Sequence, residues 1–195
     1  MRRKWLFPAV LALIASLALI AAACGDDDDD DATTAAEVTT LTLTGESTTL
    51  ALDADTATVL TDNGIEVAPV DPATAGDDGI SFPITGGEVD AETLAGTINH
   101  SGGLAFTAGG TTLELTDFVI DTTNGTLTAT AGGDQVTILD VDLTALERTD
   151  GDTITLTGIT TTLSADGAAA LNSTFDVELF EEGIPIGDVT VVATA

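Results

Sequence analysis

Few side chains in this sequence could carry chemistry. There is one cysteine, Cys24, one histidine, His100, and no tyrosine. A cysteine sulfur is a nucleophile and a soft ligand, and an imidazole is a base or an iron ligand. A dyad of His100 with its neighbour Ser101 fails, because adjacent strand residues point to opposite faces. No G-x-S-x-G frames another serine. Carboxylates are abundant, and Asp53/Asp55, Asp77/Asp78, Asp140/Asp142 and Asp150/Asp152 each set two hard oxygens close together, as calcium binding requires. None completes an EF-hand loop; Asp140, Asp142, Asp150 and Asp152 are the calcium candidates. Paired carboxylates also serve glycoside hydrolysis. However, beyond Cys24 the aromatic residues are Phe82, Phe106, Phe118, Phe175 and Phe180, with no Trp on which a sugar could stack. The expectation is a protein that is not an enzyme.

The sulfur of Cys24 has a clearer role. Arg2, Arg3 and Lys4 precede an apolar run from Trp5 to Ala23, which ends in Ala21, Ala22 and Ala23 just before the cysteine. Basic, greasy and small segments in that order form a secretory signal. The small residues ending in cysteine resemble the lipobox of bacterial lipoproteins, in which the sulfur is lipidated and the chain is cut before it. An uncleaved helix of about 18 apolar residues could also span a bilayer, but the small residues suit a peptidase. Residues 1–23 are therefore read as a lipoprotein signal peptide and Cys24 as the lipidated mature N-terminus. Two acyl chains hold a protein on a membrane where one does not. Residues 24–37, with Asp26 to Asp31 repelling one another, form an acidic tether of about 45 Å at full extension. The expected location is the outer face of the cytoplasmic membrane or the cell surface.

The formal charge is -29, from 4 basic and 33 acidic residues. Three of the basic residues belong to the signal, which leaves Arg148 alone against every acid. One cation cannot grip a phosphate backbone, so nucleic acid and anionic headgroups are excluded as partners. Phosphate loops, catalytic lysines and arginine clamps are excluded with them. With one cysteine there is no disulfide.

Residues 38–195 have the size and apolar content of one domain. Leu41-Thr42-Leu43-Thr44 alternates as a half-buried strand. A short helix follows, with Asp53 as N-cap and Gly64 as stop. Ile65 to Val70 is extended and closed by Pro69 and Pro72. Ile80 to Ile84, Thr97 to His100, Leu104 to Thr107 and Thr111 to Asp121 are strands divided by glycine turns. Asn124-Gly125 predicts a two-residue type I′ hairpin, and Gly132-Gly133 and Asp150-Gly151 continue the series. A second helix, Ser164 to Leu171, begins at a Ser164 cap and precedes extended segments at Phe175 to Phe180 and Gly187 to Ala195. Leu52 to Leu60 and Leu163 to Leu171 share Leu, Ala, Asp, Ala and Leu at equal spacing, which predicts two similar helix entries. The expected fold is all-β, an antiparallel β-sandwich or meander with two short helices.

Three groups of residues carry a family resemblance. They are Phe82-Pro83-Ile84 with Gly86, Gly87 and Asp90; Gly103 to Thr107 with Gly110, Leu113 and Leu115; and Leu163 to Leu171. In order and spacing they resemble the HtaA-type domain, over roughly Thr49 to Val192. The resemblance implies a secreted or surface-attached β domain of actinobacterial type, in a family whose founding members bind haem during iron uptake. Their iron ligand is a tyrosine near the first helix, supported by a histidine after the F-T-x-x-G stretch. Here there is no tyrosine, and that histidine's place falls near Gly109 or Gly110. His100 is then the sole nitrogen ligand available to haem, with Phe82 and Phe106 lining an apolar slot. Beside Ser101-Gly102-Gly103, His100 otherwise reads as an exposed turn histidine.

These observations lead to a membrane-anchored, non-catalytic binding module for a small molecule or an envelope protein. One alternative is a haem relay through His100. Another is a structural envelope protein that takes up cations without specificity.

Overall fold

The computed structural model describes residues 39–195; the segments expected to be a signal peptide and a tether, with Cys24, lie outside the described residues. Glu37–Ala195 forms a compact unit of its own.

The chain opens with β1 (Thr40–Leu43) and β2 (Gly45–Leu52), then α1 (Ala54–Asp62), β3 (Glu66–Val70) and β4 (Thr74–Gly76). Next come β5 (Gly79–Asp90), β6 (Gly96–His100), β7 (Gly103–Ala108), β8 (Thr111–Asp121), β9 (Thr126–Ala131), β10 (Asp134–Asp142), β11 (Glu147–Asp150) and β12 (Ile154–Leu163). α2 (Ala165–Phe175) and β13 (Pro185–Thr194) complete it. Every pairing is antiparallel, and β7 to β10 run as the meander that the turn signals predict.

The sheet closes on itself. Its pairings run β5–β2–β13–β12–β10–β9–β8, and β6 joins both β8 and β5. Closure is possible because β5 and β8 are long enough to take β6 alongside their other partners. β5 pairs β2 through Ile80–Pro83 and β6 through Ile84–Val89, while β8 pairs β7 through Thr111–Thr116 and β6 through Val119–Asp121. An eight-stranded antiparallel ring leaves an interior that side chains just fill or that holds one small ligand.

Both predicted helix entries form. The Asp53 carboxylate accepts from the backbone N–H groups of Asp55 and Thr56, and the Ser164 hydroxyl accepts from Gly167 N–H. α2 packs on β10 and β8, and α1 buries Thr56 and Leu60 against the domain. Arg148 ties the β11–β12 hairpin to the β5–β6 connection, pairing with Asp150 at 2.7 Å and donating to the Ala91 carbonyl at 2.6 Å.

Two local expectations are corrected. Asp121 pairs with Thr126, so Asn124-Gly125 ends a four-residue loop instead of making a two-residue turn, and of the two only Gly125 has positive φ. The Asp121 carboxylate rebuilds that loop by accepting from Thr123 N–H, Asn124 N–H and the Asn124 amide. The tight two-residue turns fall instead at Gly109-Gly110 and Gly132-Gly133, where both residues of each pair have positive φ. Finally, Phe175–Phe180 is not extended. α2 continues to Phe175, Asp176 takes a left-handed cap at φ 53°, and Asn172 holds the next residues. Its side chain accepts from Leu179 and Phe180 N–H and donates to Phe180 O.

Candidate functional site

Alternation along the strands sends one row of side chains into the ring. Thr48, Leu50 and Leu52 form such a row on β2, as do Ile80 and Phe82 on β5, and Leu104 and Phe106 line the same cavity from β7, which extends the sheet beyond β8. On β8 the count changes. Asp117 adopts a left-handed backbone at φ 53°, and the pairing with β9 slips between Thr116 and Val119. This bulge lets Leu115 and Phe118, an odd number of residues apart, both face inward. Between these walls lies a cavity of about 390 Å³. Among its lining residues Asp55, Val59 and Pro185 are exposed, which places its opening beside α1. There the Thr56 hydroxyl donates to Pro185 O and latches the helix to the start of β13.

His100 lines the cavity and is 6% exposed, which overturns its reading as an exposed turn histidine. The reason is its place in the ring, since β6 is the strand that closes it. The slip on β8 leaves the Phe118 carbonyl free of the ladder, and His100 Nδ1 reaches it at 3.0 Å. A carbonyl only accepts, so Nδ1 carries the proton. Nε2 is then the acceptor, and the Thr48 hydroxyl donates to it at 2.6 Å. Burial pushes the imidazole pKa down to about 4, against the Phe118 bond, which favours the charged form. At neutral pH the ring is uncharged and both nitrogens are engaged.

Phe82 and Phe106 both line the same cavity. Phe82 is buried and meets Phe118 edge to face, with centroids 5.1 Å apart and planes at 87°. Phe106 is half-buried. Sequence reasoning missed Thr48, Phe118 and most of the aliphatic lining, whose alternation was visible without any sign of which strands would face one another.

The four calcium candidates are not brought together. Asp140 and Asp142 lie exposed on β10, Asp150 is held by Arg148, and Asp152 is exposed in the β11–β12 turn. The Asp142 carboxyl is held below its usual range by bonds from the Thr144 backbone and hydroxyl. Among the described residues no group of three His, Cys, Asp or Glu side chains is arranged to hold a metal ion.

The haem implied by the resemblance does not fit these residues. Iron needs an axial ligand, and both His100 nitrogens are already bonded. The haem carboxylates call for cations, yet Arg148 is committed on β11 and the acids Asp53 and Asp55 line the cavity.

The family model of HtaA, described as Htaa, matches residues 61–179, from the end of α1 to the segment after α2. Among solved structures, the C-terminal domain of HtaA from Corynebacterium glutamicum is similar at a TM-score of 0.58 and 19% identity, over 78% of this chain and 98% of that one. The heme-binding protein HtaB from the same organism gives 0.47 at 14% identity, over 80% and 96%. A domain-swapped dimer variant of the HtaA C-terminal domain gives 0.49 at 18% identity, over 73% and 92%. No curated protein matches the sequence. At such identities structural likeness speaks for the fold, whereas the family model spans most of the chain: the protein belongs to the HtaA family.

Proposed function

We propose that this protein is a lipid-anchored extracellular binding protein whose β domain holds one small apolar ligand without transforming it. The observation that carries the reading is the apolar cavity inside a closed ring, opening beside α1. Cys24 supplies the anchor and the six aspartates hold the domain clear of the membrane. A binding site needs shape and apolar contact, and both are present. The one hydroxyl that donates to His100 Nε2 is that of Thr48, and both side chains are buried in the cavity wall; in this reading the pair braces the sheet and does no chemistry on the ligand.

The test uses N-phenylnaphthylamine, a neutral fluorophore that brightens in apolar surroundings, with Glu37–Ala195. Saturable binding at one probe per domain, lost in Ile80→Trp, which fills the cavity from β5, is the expected result. An unsaturable signal indifferent to that substitution overturns the reading. In cells, Cys24→Ser should abolish both the incorporation of labelled palmitate and the cleavage that removes the N-terminal segment.

A second reading, a haem relay, is favoured by the position of His100 in the cavity wall. It requires the Thr48 bond to Nε2 to break. A haemin titration would show a Soret band saturating at one haem per chain and disappearing in His100→Ala; absence of that band removes this reading.

A further inference from the structure

The polar groups of the cavity wall describe what it would accept. Thr48 is spent on His100, Thr56 on Pro185, and Asp53 on the helix N-terminus. Among the described residues no buried side-chain nitrogen or oxygen lacks a partner. A polar group deep in the cavity would therefore lose its hydration and find no unengaged donor, with only the lone pairs of hydroxyls already donating elsewhere to receive it. The interior matches hydrocarbon, and any polar end must stay at the opening, in water.

The opening discriminates by charge. Asp55 is exposed there, Asp53 lies beside it, and among the described residues no lysine or arginine lines the cavity. The cations of the sequence are Arg2, Arg3, Lys4 and Arg148, of which the last is bound on β11. A carboxylate or phosphate head brought to this opening meets like charge from the mouth and from the acidic domain behind it. An uncharged head does not.

We infer that the cavity selects an uncharged long-chain lipid, with its chain inside the ring and its neutral head beside α1, and rejects anionic amphiphiles, haem among them. This deepens the reading of the domain as an apolar-ligand binder and rests on it. It commits that reading to the chemistry of a monoacylglycerol or a fatty alcohol.

The experiment displaces bound N-phenylnaphthylamine from Glu37–Ala195 with monopalmitoylglycerol, with palmitate and with haemin, each below its aggregation threshold and at low ionic strength. The expected result is displacement by monopalmitoylglycerol at a concentration at least about tenfold lower than by palmitate, with no displacement by haemin. Asp55→Asn should narrow the gap between the two lipids, and added salt should narrow it further. Equal displacement by both lipids, or displacement by haemin alone, overturns the selectivity while leaving the domain a binder. Failure of the fluorophore to bind at all overturns the binding reading and this inference together. Ile80→Trp should also abolish direct binding of monopalmitoylglycerol measured by calorimetry, and its persistence would place the lipid elsewhere and overturn the inference.

Discussion

The hydroxyl of Thr48 and Nε2 of His100 stand 2.6 Å apart across 52 residues of chain, bridging from β2 to β6 over the intervening β5. With the Nδ1 bond to Phe118 on β8, the imidazole ties β2, which pairs with neither, to the paired strands β6 and β8. Thr48→Val removes the donor and leaves a buried nitrogen without a partner, at a cost of about 1–3 kcal/mol. His100→Leu removes the acceptor and strands the Phe118 carbonyl. The double variant should lose less than the sum of the two. Urea denaturation of the four proteins of this cycle measures the coupling, and additivity within about 0.5 kcal/mol would show that the bond contributes nothing.

The buried imidazole also makes stability depend on pH. Its folded pKa, about 4, lies below the 6.5 of the unfolded chain, so the unfolded state binds the extra proton. Stability is therefore intact above pH 6.5 and falls as pH drops toward 4, by up to about 3 kcal/mol, with no further loss from this group below that. The carboxyls of Asp90, Asp121 and Asp142 are lowered by hydrogen bonds from Thr93, Asn124 and Thr144, so their contribution is present above the ordinary carboxylate pKa and lost at lower pH. Protonation of the many other acids relieves repulsion in wild type and variant alike. The gap between wild type and His100→Leu should therefore shrink from pH 6.5 to 4; a gap constant across that window would mean that His100 titrates normally.

Local chemistry was legible in the sequence and long-range closure was not. Asp53 and Ser164 announced their helices because a cap is set by residues two or three positions away. Phe82 and Phe106 were recognised as slot residues through the family pattern. The burial of His100 left no local trace, because it depends on a slip at Asp117 that frees a carbonyl and on β6 being the closing strand. Asn124-Gly125 misled for a related reason: the turn is organised by the carboxylate of Asp121, three residues earlier, which outweighs the intrinsic preference of the dipeptide.

Glycines in this ring separate into two kinds that substitution should tell apart. Gly158 has φ +73°, and a Cβ there would lie 2.0 Å from the Ala145 carbonyl oxygen. Gly183 has φ +84° with nothing within 4 Å of the same position. Gly183→Ala should cost about 1 kcal/mol from the backbone alone. Gly158→Ala must in addition push back the segment leading into β11, and should cost about 3 kcal/mol or more. Thermal unfolding of the two variants ranks them, and equal losses would mean that the Ala145 segment yields freely.

Asn172 links the stability of the domain to its cavity. Its amide makes three bonds to the backbone of Leu179 and Phe180, the segment that contributes both of those side chains to the cavity wall. Asn172→Ala leaves two N–H groups and one carbonyl to find other partners, and Asp176, in its left-handed cap, cannot hold the segment alone. A loss of about 2–3 kcal/mol is expected, at about 1 kcal/mol for each bond. Because the wall loosens before the ring does, amide exchange at Leu179 and Phe180 should accelerate more than exchange on β12 and β13. Binding of N-phenylnaphthylamine should weaken in the same variant. Accelerated exchange throughout the ring, with unchanged probe affinity, would show that Asn172 serves the fold alone.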